Sequence, residues 1–388
     1  MALTRQRLTW LMYAATAAWA SFVYLLGPST SLLAEDFELD PHQAGLYGTA
    51  LAVGIVSGGS VSSRVTARAG RSVTFRLGLL LLLTGVAALF VAPGFWLSLA
   101  AVWLAGVGGA MVLSTTTATL SELHGEDSAA AITEANALAA WIGAASPLVL
   151  GAVLAIGVGW RGAVGLCVLI AGVTFVVSLR AAGSSRPVTG TQAPAPASGR
   201  SLVTRRFVLT CLALFCAVGT EFAVNFWGAT LLRELTSAAA ATAAMSAVVI
   251  GLAVGRTAGA GLSTRFDTHA LMIGGFALAA AGFLAFWAAG VAAVAILGLF
   301  LTGLGLSTLF PFILDRVVLN SGGQPDRGLA IGSLVLGSAI ATAPVALGAL
   351  ASVTPVSTAF LLVPALIVVG VLAVLASRPA QASLVDVA

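Results

Sequence analysis

The second half of this chain repeats its first half at a constant offset of 197 positions. The repeated residues are glycines, prolines and one arginine, held in one register without a gap: Gly58 and Gly255, Arg68 and Arg265, Gly106 and Gly303, Gly108 and Gly305, Pro147 and Pro344, Gly151 and Gly348. Chance supplies one or two such matches easily, but it does not readily supply the whole series. We infer that the chain is a duplication of one structural unit.

Both repeats are apolar enough to lie in a membrane. Of the 388 residues, 59% are hydrophobic and 8% are charged, and the mean hydropathy is +1.05. A soluble domain of this length could not bury so much apolar surface. Apolar stretches of about 20 residues predict twelve spans, at 8–33, 43–63, 74–92, 95–120, 129–156, 160–180, 206–232, 237–262, 269–289, 291–315, 328–350 and 355–377. A duplicated set of membrane helices is typical of transporters whose halves move about a site between them.

The arginines predict the orientation. All 18 basic residues are arginines, and with a cytoplasmic N-terminus every one lies on the cytoplasmic side except Arg161, Arg233 and Arg256. The first external loop is acidic, with Glu35, Asp36, Glu38 and Asp40. The positive-inside rule therefore places both termini in the cytoplasm. The net charge of +4 reflects this asymmetry and gives no indication of nucleic-acid binding.

Residues 181–204 divide the chain. This stretch is rich in glycine, serine and proline, so it is predicted to be a cytoplasmic linker between an N-terminal six-helix bundle, 1–180, and a C-terminal one, 205–388. It either permits the halves to move or is a loop without a role. The first apolar run is too long for a signal peptide and is interpreted as a permanent span. Arginine in place of lysine, with abundant alanine and glycine, suggests a bacterial protein, hence a multi-pass protein of the inner membrane.

No residue pattern supports catalysis. The cysteines, Cys167, Cys211 and Cys216, show no metal-ligand spacing, and the histidines, His42, His124 and His269, fall in loops. No nucleophile and base are paired in the sequence, and no phosphate-binding loop is present. We therefore expect neither an enzyme nor a cofactor, a metal site or an ATP-driven pump.

The loop after the second span resembles a signature of the major facilitator superfamily between its helices 2 and 3. In the stretch 63–71, Arg68, Gly70 and Arg71 match the signature, whereas Ser63 replaces its glycine and Ala67 its aspartate. The second half carries a weaker copy around Arg265. The resemblance implies the fold of that superfamily: an all-α membrane protein with twelve transmembrane helices in two pseudo-symmetric six-helix bundles. It also implies that Arg68, Arg71 and Arg265 belong to a cytoplasmic gate, unless they only anchor the topology.

Other motifs resemble narrower groups of the superfamily. Gly143, Pro147 and Gly151 resemble a glycine-proline motif first recognised in drug exporters, although it occurs more widely. The sequence 219–221, Gly-Thr-Glu, followed by Trp227, resembles helix 7 of fucose-permease-like members. The sequence 303–311 resembles their helix 10, and Asn136 fits their helix 5. These resemblances imply sugars or similar polar solutes.

Glu221 is the strongest candidate for chemistry. Among the acidic residues, only Glu134 and Glu221 lie clearly inside predicted spans, and ionisable groups at that depth normally face protein or a water cavity. Glu221 lies 15 positions after Arg206, hence about 22 Å along a helix. Asn225 follows on the same helix face and Trp227 is close, so a polar site with an aromatic wall is expected. Glu221 would take up and release a proton there, or a neighbouring helix would satisfy it structurally.

Glu134 and Arg256 suggest a latch. Each lies six residues inside the cytoplasmic end of its predicted span, hence about 9 Å deep. In the resembled fold their helices face each other, so the pair would close the cytoplasmic side when the cavity opens outward and would break when it opens inward. Alternatively, Arg256 reaches lipid phosphate or pairs within its own half.

Aromatic residues complete the predicted binding site. Tyr24 stands at the repeat position of Glu221, and Trp19 lies nearby in the first span, whereas Trp141 lies in the fifth. Each either lines a central cavity or serves as packing or an interfacial anchor.

The sequence thus predicts a monomeric secondary transporter that works by alternating access in the lipid bilayer. The preferred function is proton-coupled movement of a small polar organic solute such as a sugar, as a symporter. The alternative is a proton-antiport exporter of amphipathic drugs, and a uniporter is also open.

Overall fold

The chain is built from membrane-spanning helices. A computed structural model describes residues 6–180, 204–262 and 266–377; the linker residues 181–203 and Arg265 lie outside it. Within the described residues, all regular secondary structure is helical, and twelve helices are long and apolar enough to cross a membrane. The predicted count of twelve spans is therefore confirmed.

The spans are numbered 1 to 12 in chain order. Spans 1 to 6 are the helices Arg7–Asp36, Pro41–Ala69, Arg71–Val91, Phe95–His124, Ser128–Ala155 and Trp160–Arg180. Spans 7, 9 and 11 are the helices Arg205–Leu232, Thr268–Trp287 and Pro325–Ala351. Spans 8, 10 and 12 each consist of two helices in succession: Ala238–Ala244 and Ser246–Leu262, Ala292–Leu306 and Leu309–Leu319, Val356–Ala359 and Leu362–Ala376.

Local signals fix where span 2 begins and ends. Asp40 and Gln43 form a reciprocal capping box at its start, with Pro41 as the first helical residue. Gly70, at φ 84°, ends it, because that left-handed backbone favours glycine. The predicted limit of 63 was too early: the charged last turns lie outside the apolar window but still form helix.

The duplication is visible in the packing of spans 2 and 4 and of spans 8 and 10. A Cβ added to Gly54 would lie 2.3 Å from the carbonyl oxygen of Trp103. The equivalent atom on Gly251 would lie 2.2 Å from the carbonyl oxygen of Phe300. The two residues of the second contact lie 197 positions after those of the first, which is the offset of the sequence repeat. Only glycine permits such close approach of two helix backbones.

The packing of spans 3 and 4 repeats in the same way in spans 9 and 10. A Cβ on Gly85 would lie 2.4 Å from the amide nitrogen of Ala105, and one on Gly282 would lie 2.4 Å from that of Thr302. The two bundles therefore share the same helix crossings, as the duplicated glycines predict.

Span 10 is interrupted at Ser307 and Thr308. Pro311 lies four residues after Ser307, where its ring conflicts with the helical carbonyl and where it donates no hydrogen bond. Gly255 of span 8 packs on this interruption, since an added Cβ would lie 2.0 Å from the Ser307 hydroxyl oxygen.

The two bundles meet closely at the end predicted to be external. Gly151 of span 5 abuts the carbonyl oxygen of Ala239, where an added Cβ would lie at 2.6 Å. Gly348, the repeat partner of Gly151, abuts the carbonyl oxygen of Pro41, at 2.4 Å. Both copies of the glycine-proline motif therefore join one bundle to the other at this end.

Spans 1 and 7 add polar contacts to this closure. The Thr30 hydroxyl donates to the carbonyl oxygen of Phe226 at 2.9 Å, and Glu35 pairs with Arg233 at 2.6 Å. Each contact joins a residue of the first bundle to one of the second. We call the contacts of spans 1, 2 and 5 with spans 7, 11 and 8 at this end the external closure.

Toward the opposite end, which is predicted to be cytoplasmic and is called the cytoplasmic end below, the bundles diverge. Gly45, Ala52 and Gly59 share one face of span 2, since they are seven residues apart. Gly45 packs against the backbone of span 11 and Ala52 is buried, but an added Cβ on Gly59 would meet nothing within 4 Å. Val56, between Ala52 and Gly59, still meets Gly337 of span 11. The packing of span 2 against span 11 therefore ends between Val56 and Gly59, and we describe the interface beyond that point as open on the cytoplasmic side.

Replacing Gly151 by leucine is expected to disrupt the external closure. The added side chain meets backbone on span 8, and overpacking of this kind costs about 1–3 kcal/mol, roughly a tenfold change in population or more. With the three natural cysteines replaced by alanine, Thr30→Cys reports the closure through labelling by a membrane-impermeant maleimide. We expect labelling to be about tenfold faster in the Gly151→Leu background.

Gly274→Leu is the matched control, because it also lies in a span and an added Cβ there meets nothing within 4 Å. Equal labelling rates in the Gly151→Leu and Gly274→Leu backgrounds would show that Gly151 does not hold the closure.

Candidate functional site

Tyr24, Glu221 and Arg256 form an interacting group, which we call the trio. Tyr24 belongs to span 1, in the first bundle, whereas Glu221 and Arg256 belong to spans 7 and 8, in the second. The Tyr24 side chain lies within hydrogen-bonding reach of both Glu221 and Arg256, and the two charged groups attract each other. The trio therefore links the two bundles through polar side chains inside the membrane region.

Tyr24 stands between the two charges. A guanidinium can only donate hydrogen bonds and a carboxylate can only accept them, whereas a phenol does both. In such a group only Arg256 can donate to the Tyr24 oxygen, and only the Tyr24 hydroxyl can donate to an ionised Glu221. Glu221 is 9% exposed, and Tyr24 and Arg256 are partly buried. The arrangement satisfies a charge pair at a depth where an unpaired charge is costly.

Close packing of spans 1 and 7 sets the position of the trio. Gly27 lies one turn beyond Tyr24, and Asn225 lies one turn beyond Glu221. A Cβ on Gly27 would lie 1.9 Å from the Asn225 Oδ1, so the amide fills the space that this glycine leaves. The Asn225 Oδ1 is buried without a hydrogen-bond partner. Asn225 thus lies on the external side of the trio, within the closure.

Span 5 forms the wall beside Tyr24. A Cβ on Gly143 would lie 2.4 Å from the Tyr24 ring, so this glycine gives the ring its space. Asn136 lies on the same helix face, two turns toward the cytoplasmic end, and is exposed. Its amide donates to the carbonyl oxygen of Ile132 at 2.9 Å. Asn136 therefore lies between the trio and the open side of the interface.

The predicted tryptophans lie elsewhere. Trp19 is buried against span 4, where a Cβ on Gly109 would lie 2.0 Å from its ring. The Trp227 indole donates to the carbonyl oxygen of Pro344 at 3.0 Å and so ties span 7 to span 11. Trp141 is 49% exposed and, two residues from Gly143, points to the opposite side of span 5. The structure thus does not bring these three residues to the trio.

The predicted latch residues have different described partners. Glu134 accepts a hydrogen bond from the Tyr13 hydroxyl at 2.9 Å, within the first bundle, whereas Arg256 interacts with Tyr24 and Glu221. The interaction of Arg256 with Glu221 was not predicted, because residue counting does not fix the relative height of two helices. Since the interface is open on the cytoplasmic side, the pair of Glu134 with Arg256 stays a prediction for the opposite state.

The described gate arginines lie at the cytoplasmic end. Arg71 forms an ion pair with Glu122, which joins the start of span 3 to the end of span 4. Arg68 is exposed at the end of span 2, and Arg265 lies outside the described residues. The described partner of Arg71 belongs to its own bundle, so a role of these arginines between the bundles stays a prediction.

A further polar cavity lies inside the second bundle. Thr210, His269 and Asn320 help to line it, and its volume is about 10 Å³. That is space for about one water molecule, so the cavity does not accommodate an organic solute. Within the described residues, no group of three or more histidine, cysteine, aspartate or glutamate residues is placed to hold a metal ion.

Solved structures share this architecture. The nucleoside transporter NupG, crystallised as a point mutant, is similar with a TM-score of 0.78 at 12% identity, covering 96% of this chain and 99% of that chain. The E. coli fucose:proton symporter FucP, also a point mutant, has a TM-score of 0.63 at 18% identity, covering 96% and 98%. FucP in the outward conformation has a TM-score of 0.59 at 17% identity, covering 96% and 99%. At these identities the likeness shows the fold alone.

The sequence itself places the chain in a family. A comparison with curated proteins finds no match. The sequence profile of the Major Facilitator Superfamily, however, matches residues 11–235, more than half of the chain. The chain therefore belongs to the major facilitator superfamily and is a membrane transporter, not an enzyme.

Proposed function

We propose that this transporter moves a small polar, sugar-like solute by alternating access and couples its movement to protons through Glu221. The observation that carries the proposal is the place of Glu221, a buried acid at the junction of the bundles. Arg256 holds it from its own bundle and Tyr24 from the opposite one. The names of the similar structures, a nucleoside transporter and a fucose:proton symporter, support a polar solute.

Protonation of Glu221 would change the contact between the bundles. The ionised carboxylate attracts Arg256 and accepts the Tyr24 hydroxyl hydrogen bond. A proton removes the negative charge, so both interactions weaken. Because Tyr24 belongs to the opposite bundle, the protonation state of Glu221 biases the equilibrium between conformations. A ligand that binds two states unequally shifts their populations, and here the ligand is a proton.

The solute would reach the trio from each side of the membrane in turn. In the described state, Asn136 and the open cytoplasmic interface lead to Tyr24. Opening of the external closure would separate Gly27 from Asn225 and expose the same group to the other side. We therefore assign Tyr24, Asn136 and Asn225 to solute binding and Glu221 to proton coupling. The arginine distribution supports a bacterial inner membrane with both termini in the cytoplasm.

Export of amphipathic drugs is the weaker alternative. It rested on the glycine-proline motif of span 5, yet Gly151 and its repeat partner Gly348 both pack in the external closure. A packing role shared by both copies of the motif accounts for its presence without any role in drug export. The structural observations therefore favour the polar solute.

Glu221→Gln is expected to abolish solute-driven proton movement while solute exchange continues. Glutamine keeps the shape and accepts the Tyr24 hydrogen bond, but it cannot take up a proton. The measurement uses proteoliposomes with an internal pH dye and a panel of sugars, nucleosides and amphipathic cations. Exchange of labelled solute, which requires no net proton movement, is measured in parallel.

Glu234→Gln is the control, because Glu234 is exposed just beyond the same helix. Solute-driven proton movement that persists in Glu221→Gln would remove Glu221 from the coupling mechanism. Proton movement driven only by amphipathic cations would replace the polar-solute proposal with the exporter.

Tyr24→Phe is expected to loosen the external closure. The substitution keeps the ring and removes the hydroxyl that joins the bundles, and a hydrogen bond to a charged group contributes about 1.5–3 kcal/mol. Labelling of Thr30→Cys should therefore be roughly tenfold faster than with Tyr24 intact.

Tyr47→Phe provides the comparison. Its hydroxyl is buried and hydrogen-bonded to Ser98 at 2.6 Å, within one bundle. That variant should unfold at lower temperature in detergent without faster labelling. If Tyr24→Phe labels no faster than Tyr47→Phe, Tyr24 does not join the bundles.

A further inference from the structure

The trio is electrically neutral only while Glu221 is ionised. Arg256 and Glu221 carry opposite single charges, and Tyr24 is uncharged. Other ionisable groups on helices packed against span 7 lie near the ends of those helices. Within the described residues these are Arg7, Glu35 and Asp36 of span 1, His42, Arg64 and Arg68 of span 2, Asp315 and Arg316 of span 10, and Asp326 and Arg327 of span 11. The described helices of span 12 contain none. On span 5, which packs against span 8, Glu134 accepts a hydrogen bond from Tyr13, and among the described residues Glu221 is the acid that interacts with Arg256. In the described state a proton on Glu221 therefore leaves Arg256 without a partner acid.

A proton on Glu221 leaves Arg256 as an uncompensated charge at the junction of the bundles. Removing one member of a buried ion pair is strongly destabilising, because the remaining charge has lost its solvent and its partner. Lysine could lose its own proton in such a place, but arginine stays charged. The protonated state therefore requires an anion from elsewhere, and the open interface is the route by which one arrives.

We propose that the transported solute is a polar organic monoanion whose carboxylate replaces Glu221 as the partner of Arg256. This inference rests on the proposed proton coupling at Glu221 and names the chemical class of the solute. A planar guanidinium matches a carboxylate with two parallel hydrogen bonds. Tyr24 can donate to the same carboxylate after protonated Glu221 ceases to be its acceptor. A hydroxylated body, as in a sugar acid, suits the amide of Asn136, which lies two helical turns from Gly143 toward the open side.

The charge of the solute follows from the charge of the trio. One proton on Glu221 removes one negative charge, and one carboxylate restores it. A phosphate monoester carries between one and two negative charges at neutral pH, so it would leave an excess of negative charge at the trio. A neutral sugar would leave Arg256 uncompensated.

The resulting cycle moves no net charge. A proton and a monoanion cross together, the proton on Glu221 and the carboxylate on Arg256. On the cytoplasmic side Glu221 loses its proton to water, and its carboxylate then competes for Arg256 and displaces the solute. The described state, with Glu221 facing Arg256, corresponds to the site after release.

The test compares solutes that differ only in a carboxylate: galactose with galacturonate and glucose with glucuronate. Wild-type proteoliposomes contain a pH dye, and an imposed potassium gradient with valinomycin sets the membrane potential. We expect the uronates to acidify the interior and the neutral sugars not to do so. The rate should be unchanged by the membrane potential.

Arg256 variants test which group selects the anion. Arg256→Gln should lose uronate-driven acidification, and Arg256→Lys should retain part of it. Arg180→Gln, at the cytoplasmic end of span 6, is the control. The double variant Glu221→Gln with Arg256→Gln restores neutrality, so it should exchange the neutral sugar in preference to the uronate. This reversal distinguishes charge selection from a general loss of folding.

The outcomes separate this inference from the proposed function. Acidification driven by a neutral sugar and not by its acid, and lost in Glu221→Gln, would overturn the anionic solute and leave proton coupling intact. Exchange of the uronate without acidification would support the selection of an anion and refute proton coupling at Glu221. Uronate transport unaffected by Arg256→Gln would also overturn the inference.

Discussion

Close approach of helix backbones at glycines is the constraint on which this structure depends. Lipid is as apolar as a leucine side chain, so helices in a membrane gain stability from intimate packing rather than from escaping water. Gly54 and Gly251 illustrate this, because each sits against a backbone carbonyl of the helix it crosses. The same close approach of a glycine to a backbone carbonyl, at Gly151 and Gly348, acts between the bundles. Packing inside each bundle and closure between the bundles therefore share one physical origin.

The trio adds chemistry where this packing brings the bundles together. Gly143 makes space for the Tyr24 ring, and Gly27 lets span 1 approach span 7 closely enough for Tyr24 to reach Glu221. A charge pair at this depth is stable only while both members are present and hydrogen-bonded. A change in the charge of Glu221 therefore changes the contact between the bundles. The proposed coupling follows from that connection and requires no separate signalling path.

Much of the fold could be predicted from the sequence, and less of the site. Hydrophobicity and the repeat predicted twelve spans in two related bundles, because membrane helices must be long, apolar and internally hydrogen-bonded. The sequence analysis identified both Tyr24 and Glu221 as site candidates. Their equivalent positions in the two repeats were the signal from which their contact could have been predicted. The interaction of Arg256 with Glu221 was not predicted, because residue counting does not fix the relative height of two helices. Trp227 resembled a family motif, yet its indole bonds to Pro344, a partner that only the packing of spans 7 and 11 reveals.

The most direct test of the account is an infrared titration of the purified transporter in lipid. The carbonyl band of a protonated carboxylic acid is followed as pH falls, in wild type and in Glu221→Gln, with Glu134→Gln as the comparison. The account predicts a protonated-acid band that grows with added solute and is missing only from Glu221→Gln. A wild-type spectrum in which Glu221 stays ionised throughout the pH range of transport would contradict it.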